Sequence, residues 1–348
     1  MSEPLRIAVV IPYYQEHRGV LARGLASVFA QVVAPSVRIN VFVVDDASPV
    51  DPAGDIADAG APPAHITVRV LRRPNGGPGA ARNTGLDAAT ADHELVAFLD
   101  SDDVWRSDHL AGAQIGLETG ADIYFCDFTS PDHRDGYLQS TKFYADLTTG
   151  DETGSTAVSH GADIWCCDSA RLAEWAIREY LAQTSTIVYR VARLGHVRFS
   201  EHLRFAGEDH LFFLDLAVGA TRASLSLARE VERGAGINVY DSARTWGDPR
   251  DLRRRIYNLG ALRLMSTRSS WSGATRRLLD DRLAQSRRVV SFLLMRQMFS
   301  SRSVPVAALR MAWSCDRRTA LLFPFGAAAF LATKLVGKAG LNESEIER

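Results

Sequence analysis

Lysine is almost missing from this chain: three residues, at 142, 334 and 338, stand against 37 arginines. Cysteine is scarce too. The four cysteines, Cys126, Cys166, Cys167 and Cys315, show no C-x-x-C spacing, and the adjacent pair cannot easily bridge to itself. A zinc ribbon, a redox motif and a disulfide scaffold are therefore excluded, and reduced thiols are expected. The strongest apolar stretch, residues 319–337, is interrupted by Pro324 and Gly326 and carries Lys334, with Lys338 just beyond. That composition is marginal for a bilayer span and suits an interfacial or core helix. Residues 1–6 lead straight into the apolar run 7–11, with no basic region, long apolar segment and small-residue cleavage site in sequence. The expectation is a protein on the cytoplasmic side. No internal repeat is visible. Nor is a G-x-x-x-x-G-K-[ST] phosphate loop, which argues against an ATPase.

What the chain does have is 348 residues, 46% hydrophobic and 23% charged, enough to bury a large core. Its net charge of -1 hides a division. Residues 250–348 hold 19 basic side chains against 7 acidic ones, so this part carries +12 and the part before it -13. A basic tail of this kind suits phospholipid headgroups, a lipid diphosphate or another anionic partner, or packs on the acidic body; solvated helix faces are the plainer reading.

Short β-branched runs alternate with helical spacing through the first hundred residues. Residues 6–12, 38–44, 66–71 and 95–99 read as strands, and 19–32 and 80–90 as helices, with a glycine-rich turn at 74–79. Alternation of this kind predicts right-handed βαβ crossovers and a mostly parallel sheet, with ligands beyond the carboxyl ends of its strands. Residues 130–159 read as irregular. Regular elements are expected again at 169–179 and 184–189, and helices from Pro249 onward.

The polar clusters fall at those strand ends. In Leu99-Asp100-Ser101-Asp102-Asp103-Val104-Trp105, carboxylates one residue apart can turn toward one hard cation that neutralises a diphosphate; a solvated acidic turn is the alternative. Val43-Val44-Asp45-Asp46-Ala47-Ser48 offers a carboxylate for a uracil imide N–H or a ribose hydroxyl, or else an Asx turn. Flexible backbone at 75–79 precedes Arg82 and Asn83 in a first helical turn, which suits phosphate or base. Asp209, in Gly207-Glu208-Asp209 before an apolar helix, could take a proton from a hydroxyl or cap the helix.

Ile11-Pro12-Tyr13-Tyr14-Gln15-Glu16, Val44-Asp45-Asp46-Ala47-Ser48, Gly79-Ala80-Ala81-Arg82-Asn83-Thr84-Gly85, Leu99-Asp100-Ser101-Asp102-Asp103 and Gly207-Glu208-Asp209 occur in one order over residues 5–230. Together they resemble family 2 glycosyltransferases, and are similar in particular to bacterial exopolysaccharide glucosyltransferases of succinoglycan type. The resemblance implies an α/β GT-A fold: a nucleotide-sugar-binding domain with a mostly parallel mixed sheet, followed by a C-terminal helical extension. Residues 1–248 would be catalytic (1–105 for the nucleotide, 106–248 for the acceptor), and 249–348 a basic helical region contacting a membrane surface or a second copy. It also implies a UDP-sugar donor and a divalent cation, Mn2+ or Mg2+, at Asp102 and Asp100. Nucleotide-sugar contacts would come from Pro12, Tyr14, Glu16, Asp46, Arg82, Asp100 and Ser101, with Asp209 as base in an inverting transfer. The acceptor would be a carbohydrate or lipid-linked oligosaccharide, and nucleic acid would not be a partner. A histidine that many relatives carry after the Glu-Asp pair has no counterpart beyond His210, and residues 238–246 are the candidate replacement. A sugar nucleotidyltransferase and a non-catalytic carbohydrate- or membrane-binding protein are the competing readings.

Overall fold

A computed structural model describes residues 3–149, 156–159, 163–234, 249–268 and 271–335. The candidate replacement at 238–246 lies outside the described residues. The chain divides into two compact units. The first comprises Met1–Ala176, Tyr180–Glu201 and Phe212–Ile237, and the second Ile177–Glu179, His202–Leu211 and Asn238–Arg348.

In the first unit, β1 (Arg6–Tyr13), β2 (Arg38–Asp45), β3 (Ile66–Arg72) and β4 (Leu95–Phe98) form a parallel block in the order β3-β2-β1-β4. The runs of Val and Ile in β1 and β2 are buried at nearly every position, as strands covered on both faces require. The crossovers are α1 (Val20–Phe29), the short α2 (Ala53–Asp58) and α3 (Pro78–Ala89). Helix α1 has no side-chain cap of its own. The fully buried Asp55 of α2 accepts the N–H groups of Gly19 and Leu21 instead, at 2.9 and 3.1 Å. Pro78 opens α3 after Gly77, whose φ of 89° lies in the left-handed region. Gly85 lets α3 settle on Val10 of β1, where a Cβ would collide with the valine side chain.

Beyond β4 the sheet becomes mixed. It continues through β5 (Val104–Trp105), α4 (His109–Glu118), β6 (Ile123–Thr129), α5 (Lys142–Thr149), β7 (Thr156–Ser159), β8 (Asp163–Asp168) and α6 (Ser169–Arg178). After these come β9 (Val188–Arg190), α7 (Val191–Leu194), α8 (Glu208–Gly219) and β10 (Arg222–Glu232). The order is β4-β9-β6-β10-β8-β7, with β5 pairing the end of β10. Strand β9 runs antiparallel to both β4 and β6, and β8 antiparallel to β10, while β6 and β10 pair in parallel, so the sheet is mixed beyond β4. One expectation is corrected here. Residues 130–159 are not irregular throughout: 142–149 form a helix and 156–159 a strand hydrogen-bonded to β8. The regular structure expected at 184–189 is a 3-10 turn, Thr184–Thr186, followed by the start of β9 at Val188.

The second unit is helical: α9 (Pro249–Arg268), α10 (Gly273–Ser301), α11 (Val306–Cys315) and α12 (Arg317–Leu335). Gly326 of α12 packs on Ser291 of α10, and Gly260 of α9 on Cys315 of α11; these glycines permit close helix approach. Much of the basic charge is used internally. Asp251 pairs with Arg254 and Arg255, Arg253 lies over the Phe205 ring, and Arg282 donates to the Arg178 carbonyl at 2.7 Å. Arg287 pairs with Asp316, which also accepts from Thr319 in the first turn of α12.

Candidate active site

The parallel register fixes where the polar clusters meet. Tyr13 lies opposite Asp45, and Val10 opposite Phe98, so the segments after β1, β2 and β4 emerge at one carboxyl edge of the sheet. Pro12 is the penultimate residue of β1, Tyr14, Glu16, Asp46, Asp100, Ser101 and Asp102 belong to these segments, and Arg82 is in the first part of α3. Pro12 is half-buried, Glu16 exposed, and Tyr14 49% exposed. Gln15 clamps the three segments together. Its backbone N–H donates to Ser48 Oγ at 2.9 Å, and its Nε2 donates to Ser101 Oγ at 2.8 Å.

The two aspartates at the end of β2 take different roles. Asp45 accepts the Ser48 N–H at 2.8 Å, the Asx turn. Asp46, 3% exposed, accepts the N–H groups of Gly76 and Gly77 and an ion pair from Arg73, drawing the glycine-rich turn against the sheet. Any bond from Asp46 to a ligand must use the lone pairs these partners leave. Between them and Ser48, Ala47 has a φ of 56°, a left-handed conformation that costs an alanine on the order of 1–2 kcal/mol and that the surrounding bonds sustain.

Arg82, almost fully buried, pairs with Asp100 Oδ1 at 2.6 Å while its guanidinium lies 5.2 Å from the centre of the Phe199 ring. Its immediate role is to orient Asp100. The neighbouring Asn83 holds the chain at 199–201: its Oδ1 accepts the Phe199 N–H and its Nδ2 donates to Glu201.

The acidic loop itself is held from below. Asp103 is 1% exposed, and its carboxyl is pushed up to about 8 by burial and by the charges of Asp100 and Asp102. It accepts from Gln183 Nε2 and Ser185 Oγ, each at 2.5 Å, and from the Gly234 N–H at 2.8 Å. Ser185 Oγ also accepts the Asp100 N–H at 2.9 Å, and its carbonyl accepts the Trp105 indole N–H at 2.8 Å. Gly234 has no room for a Cβ, which would strike the backbone of Asp102. Asp102, half-exposed, stays at the surface of the loop while Asp103 is turned into it.

That partition bears on metal binding. Asp102 and Asp100 bring carboxylates to one turn, the donor type that Mg2+ and Mn2+ take, and the Arg82 ion pair is made through Oδ1 of Asp100. The set fits a hard divalent ion. His109, Cys126 and Glu230 have ligand atoms within 4.8 Å of one another, and among the described residues they are the only group of three or more so gathered. They are a hydrogen-bonded core set: His109 Nδ1 lies 2.9 Å from Glu230 Oε2, and Tyr124 donates to Oε1 at 2.6 Å.

Asp209 belongs to the second unit, in the first turn of α8. It is half-buried and its Oδ1 accepts the His210 N–H at 2.8 Å. Gly207, just before it, has a φ of 80°, and a Cβ there would press on Ala261 of α9, so the glycine of Gly-Glu-Asp is required twice over.

Gln15, Asp103, Gln183, Ser185 and Gly234 are the site residues that sequence reasoning missed. Only Asp103 carried a local signal, as the last acid of the cluster. Ser185→Ala should leave the Asp100 N–H without its partner, reduce Asp103 Oδ2 to the Gln183 bond alone, and let the loop drift. We expect turnover of the donor to fall about tenfold or more, in line with what an ångström of misplacement costs, with melting lowered by only a few degrees. Unchanged kinetics would show that Ser185 does not position the loop.

The sequence profile of "Glycosyl transferase family 2" matches residues 8–161. The succinoglycan biosynthesis protein ExoW of Rhizobium meliloti is 38% identical over 240 residues, covering 68% of this chain and 71% of that protein. Among solved structures, S. aureus TarS 1-349 in complex with UDP-GlcNAc superposes with a TM-score of 0.55 at 18% identity, over 93% of this chain and 88% of that one. The mannosyltransferase PcManGT from Pyrobaculum calidifontis, in complex with GDP-Man and Mn2+, gives 0.53 at 16%, over 97% and 88%. At these identities the two structures speak for the fold, which is GT-A, and ExoW for the lineage. The motif order, the profile and a relative aligned over more than two thirds of both chains agree, and the chain belongs to glycosyl transferase family 2.

Proposed function

We propose that this protein transfers glucose from UDP-glucose, with inversion at the anomeric carbon, to a lipid-linked oligosaccharide at the cytoplasmic face of the membrane during exopolysaccharide synthesis. The observation that carries the reading is the single carboxyl edge holding Asp46, Arg82, Asp100, Ser101 and Asp102. The relation to a succinoglycan biosynthesis protein supports the product class, and the nucleotide-sugar complexes of structural neighbours support the donor class.

Pro12, Tyr14, Glu16 and Asp46 would line the nucleoside. Asp102 and Asp100 would hold the divalent cation, which when bound neutralises the diphosphate of the leaving UDP. Arg82 would hold Asp100 in place through their ion pair, and Arg82 and Ser101 would also contact the sugar nucleotide. Asp209 would accept the proton of the attacking hydroxyl, so that an α-linked donor gives a β-glycoside.

Incubation with a panel of UDP-sugars, with and without Mn2+ or Mg2+, tests this directly. UDP release should be fastest from UDP-glucose and should need the metal. Release of pyrophosphate from UTP and a sugar phosphate would instead make the protein a nucleotidyltransferase, and metal-independent release would remove the cation from the site.

A further inference from the structure

Exposed apolar side chains are unevenly spread. Of the eleven large ones among the described residues, seven fall between positions 299 and 325. Phe325 is 75% exposed, Phe299 70%, Leu321 64% and Trp313 46%. With exposed arginines they recur at helical spacing on outward faces: Val306 and Trp313 flank Arg310 along α11, and Leu321 and Phe325 follow Arg317 along α12. The opposite faces are the packed ones. Ala308, Ala312 and Cys315 of α11 are buried, and in α12 Thr319 and Ala327 are buried while Gly326 lies on Ser291 of α10.

The charge on these faces has one sign. Arg296, Arg302, Arg310, Arg317 and Arg318 are exposed, and Arg317 lies 5.6 Å from the Trp313 ring centre. From residue 282 to 335 the sequence holds one acidic residue, Asp316, and that one is buried and paired with Arg287. Between residues 282 and 335 no exposed carboxylate accompanies the arginines.

We propose that the outward faces running from the end of α10 through α12 dock the protein on an anionic lipid bilayer. Guanidinium groups interleaved with Phe, Trp and Leu match headgroup phosphates above an acyl boundary into which the apolar side chains sink. A second copy of the chain meeting this face with the same face would bring like charge and be repelled. Nucleic acid would satisfy the arginines but offers nothing to Leu321, Leu322, Val304 or Val306. No helix among the described residues is long and apolar enough to cross a membrane, so the contact is one of lying on the surface. The docking stands without the proposed transferase activity. Its consequence, that a lipid-linked acceptor is met at the surface where it is embedded, rests on that reading.

The test is sedimentation of the full chain with vesicles of phosphatidylglycerol and phosphatidylcholine, or of phosphatidylcholine alone, at low and high salt. Binding to the anionic vesicles should exceed binding to the neutral ones at least about tenfold and weaken with salt. Two variants, Phe299→Ser with Phe325→Ser and Arg310→Glu with Arg317→Glu, should each lower binding at least about tenfold. Both should keep the melting temperature and the UDP release in solution of the parent protein. Failure of the full chain to sediment, equal binding to neutral vesicles, or undiminished binding by both variants would overturn the proposal. So would a homodimer in light scattering that both variants dissociate, or an RNA complex that both abolish, if neither is accompanied by lipid binding. Lipid binding as described with no UDP release from any of these proteins would instead sink the transferase reading and leave the docking intact.

Discussion

Asp102→Asn is expected to cut UDP-sugar turnover by about 10²–10³-fold and to remove most of the metal dependence of UDP binding in calorimetry. Asparagine keeps the shape of the side chain and removes its charge. Asp102 is half-exposed at the loop surface, whereas the adjacent Asp103 is enclosed by Gln183, Ser185 and Gly234. The substitution should therefore leave the melting temperature within about a degree or two, as surface changes usually do. A fall in turnover with metal-dependent affinity intact would take Asp102 out of the cation site. Loss of both together with a large drop in melting temperature would mean that the loop had unfolded. The Ser185→Ala variant serves as a comparison, because it disturbs the loop without removing a proposed ligand carboxylate.

Asp209→Asn should lower the rate of transfer by about 10²–10⁴-fold while UDP affinity changes no more than a few fold, since a base acts on the acceptor and not on the nucleotide. The competing account makes Asp209 a residue of the first turn of α8, where its carboxylate already accepts the His210 N–H. Asparagine is nearly as good there as aspartate, so that account predicts almost no effect. Rates measured with saturating donor separate the two. A loss of UDP affinity matching the loss of rate would assign Asp209 to binding.

The parts of this molecule that were legible in sequence are those governed by local pattern. Val and Ile runs ending in Pro12, Asp45 and Leu99 mark β1, β2 and β4 because a strand buried on both faces has little choice of residue. Their parallel order then brings Asp46 and Asp100–Asp102 to one edge. Strands β5 and β9, of two and three residues, are too short to carry any periodicity. For β7, Thr156–Ser159, the strand conformation comes from pairing with β8 and not from its own composition. Which of Asp45 and Asp46 turns inward was equally hidden, since it depends on Gly76 and Gly77 thirty residues away. The tail's arginine count gave the sign of its charge but not its distribution, because Asp251 and Asp316 take up Arg254, Arg255 and Arg287 within the unit while Arg310, Arg317 and Arg318 stay outside.

Ser185, Gln183 and Gly234 also set a limit on what can be cut from this protein. The family profile ends at residue 161, yet the acidic loop at 100–105 takes its shape from groups that the ribosome adds about eighty and a hundred and thirty residues later. A nascent or excised chain holding only the profiled stretch would display the Asp-Ser-Asp-Asp spelling with Asp103 facing water and the Trp105 indole without the carbonyl that receives it. Closing such distant contacts comes late in folding, since the loop entropy must be met before they give any return. The smallest piece able to present these carboxylates as the intact protein does therefore extends at least to Gly234.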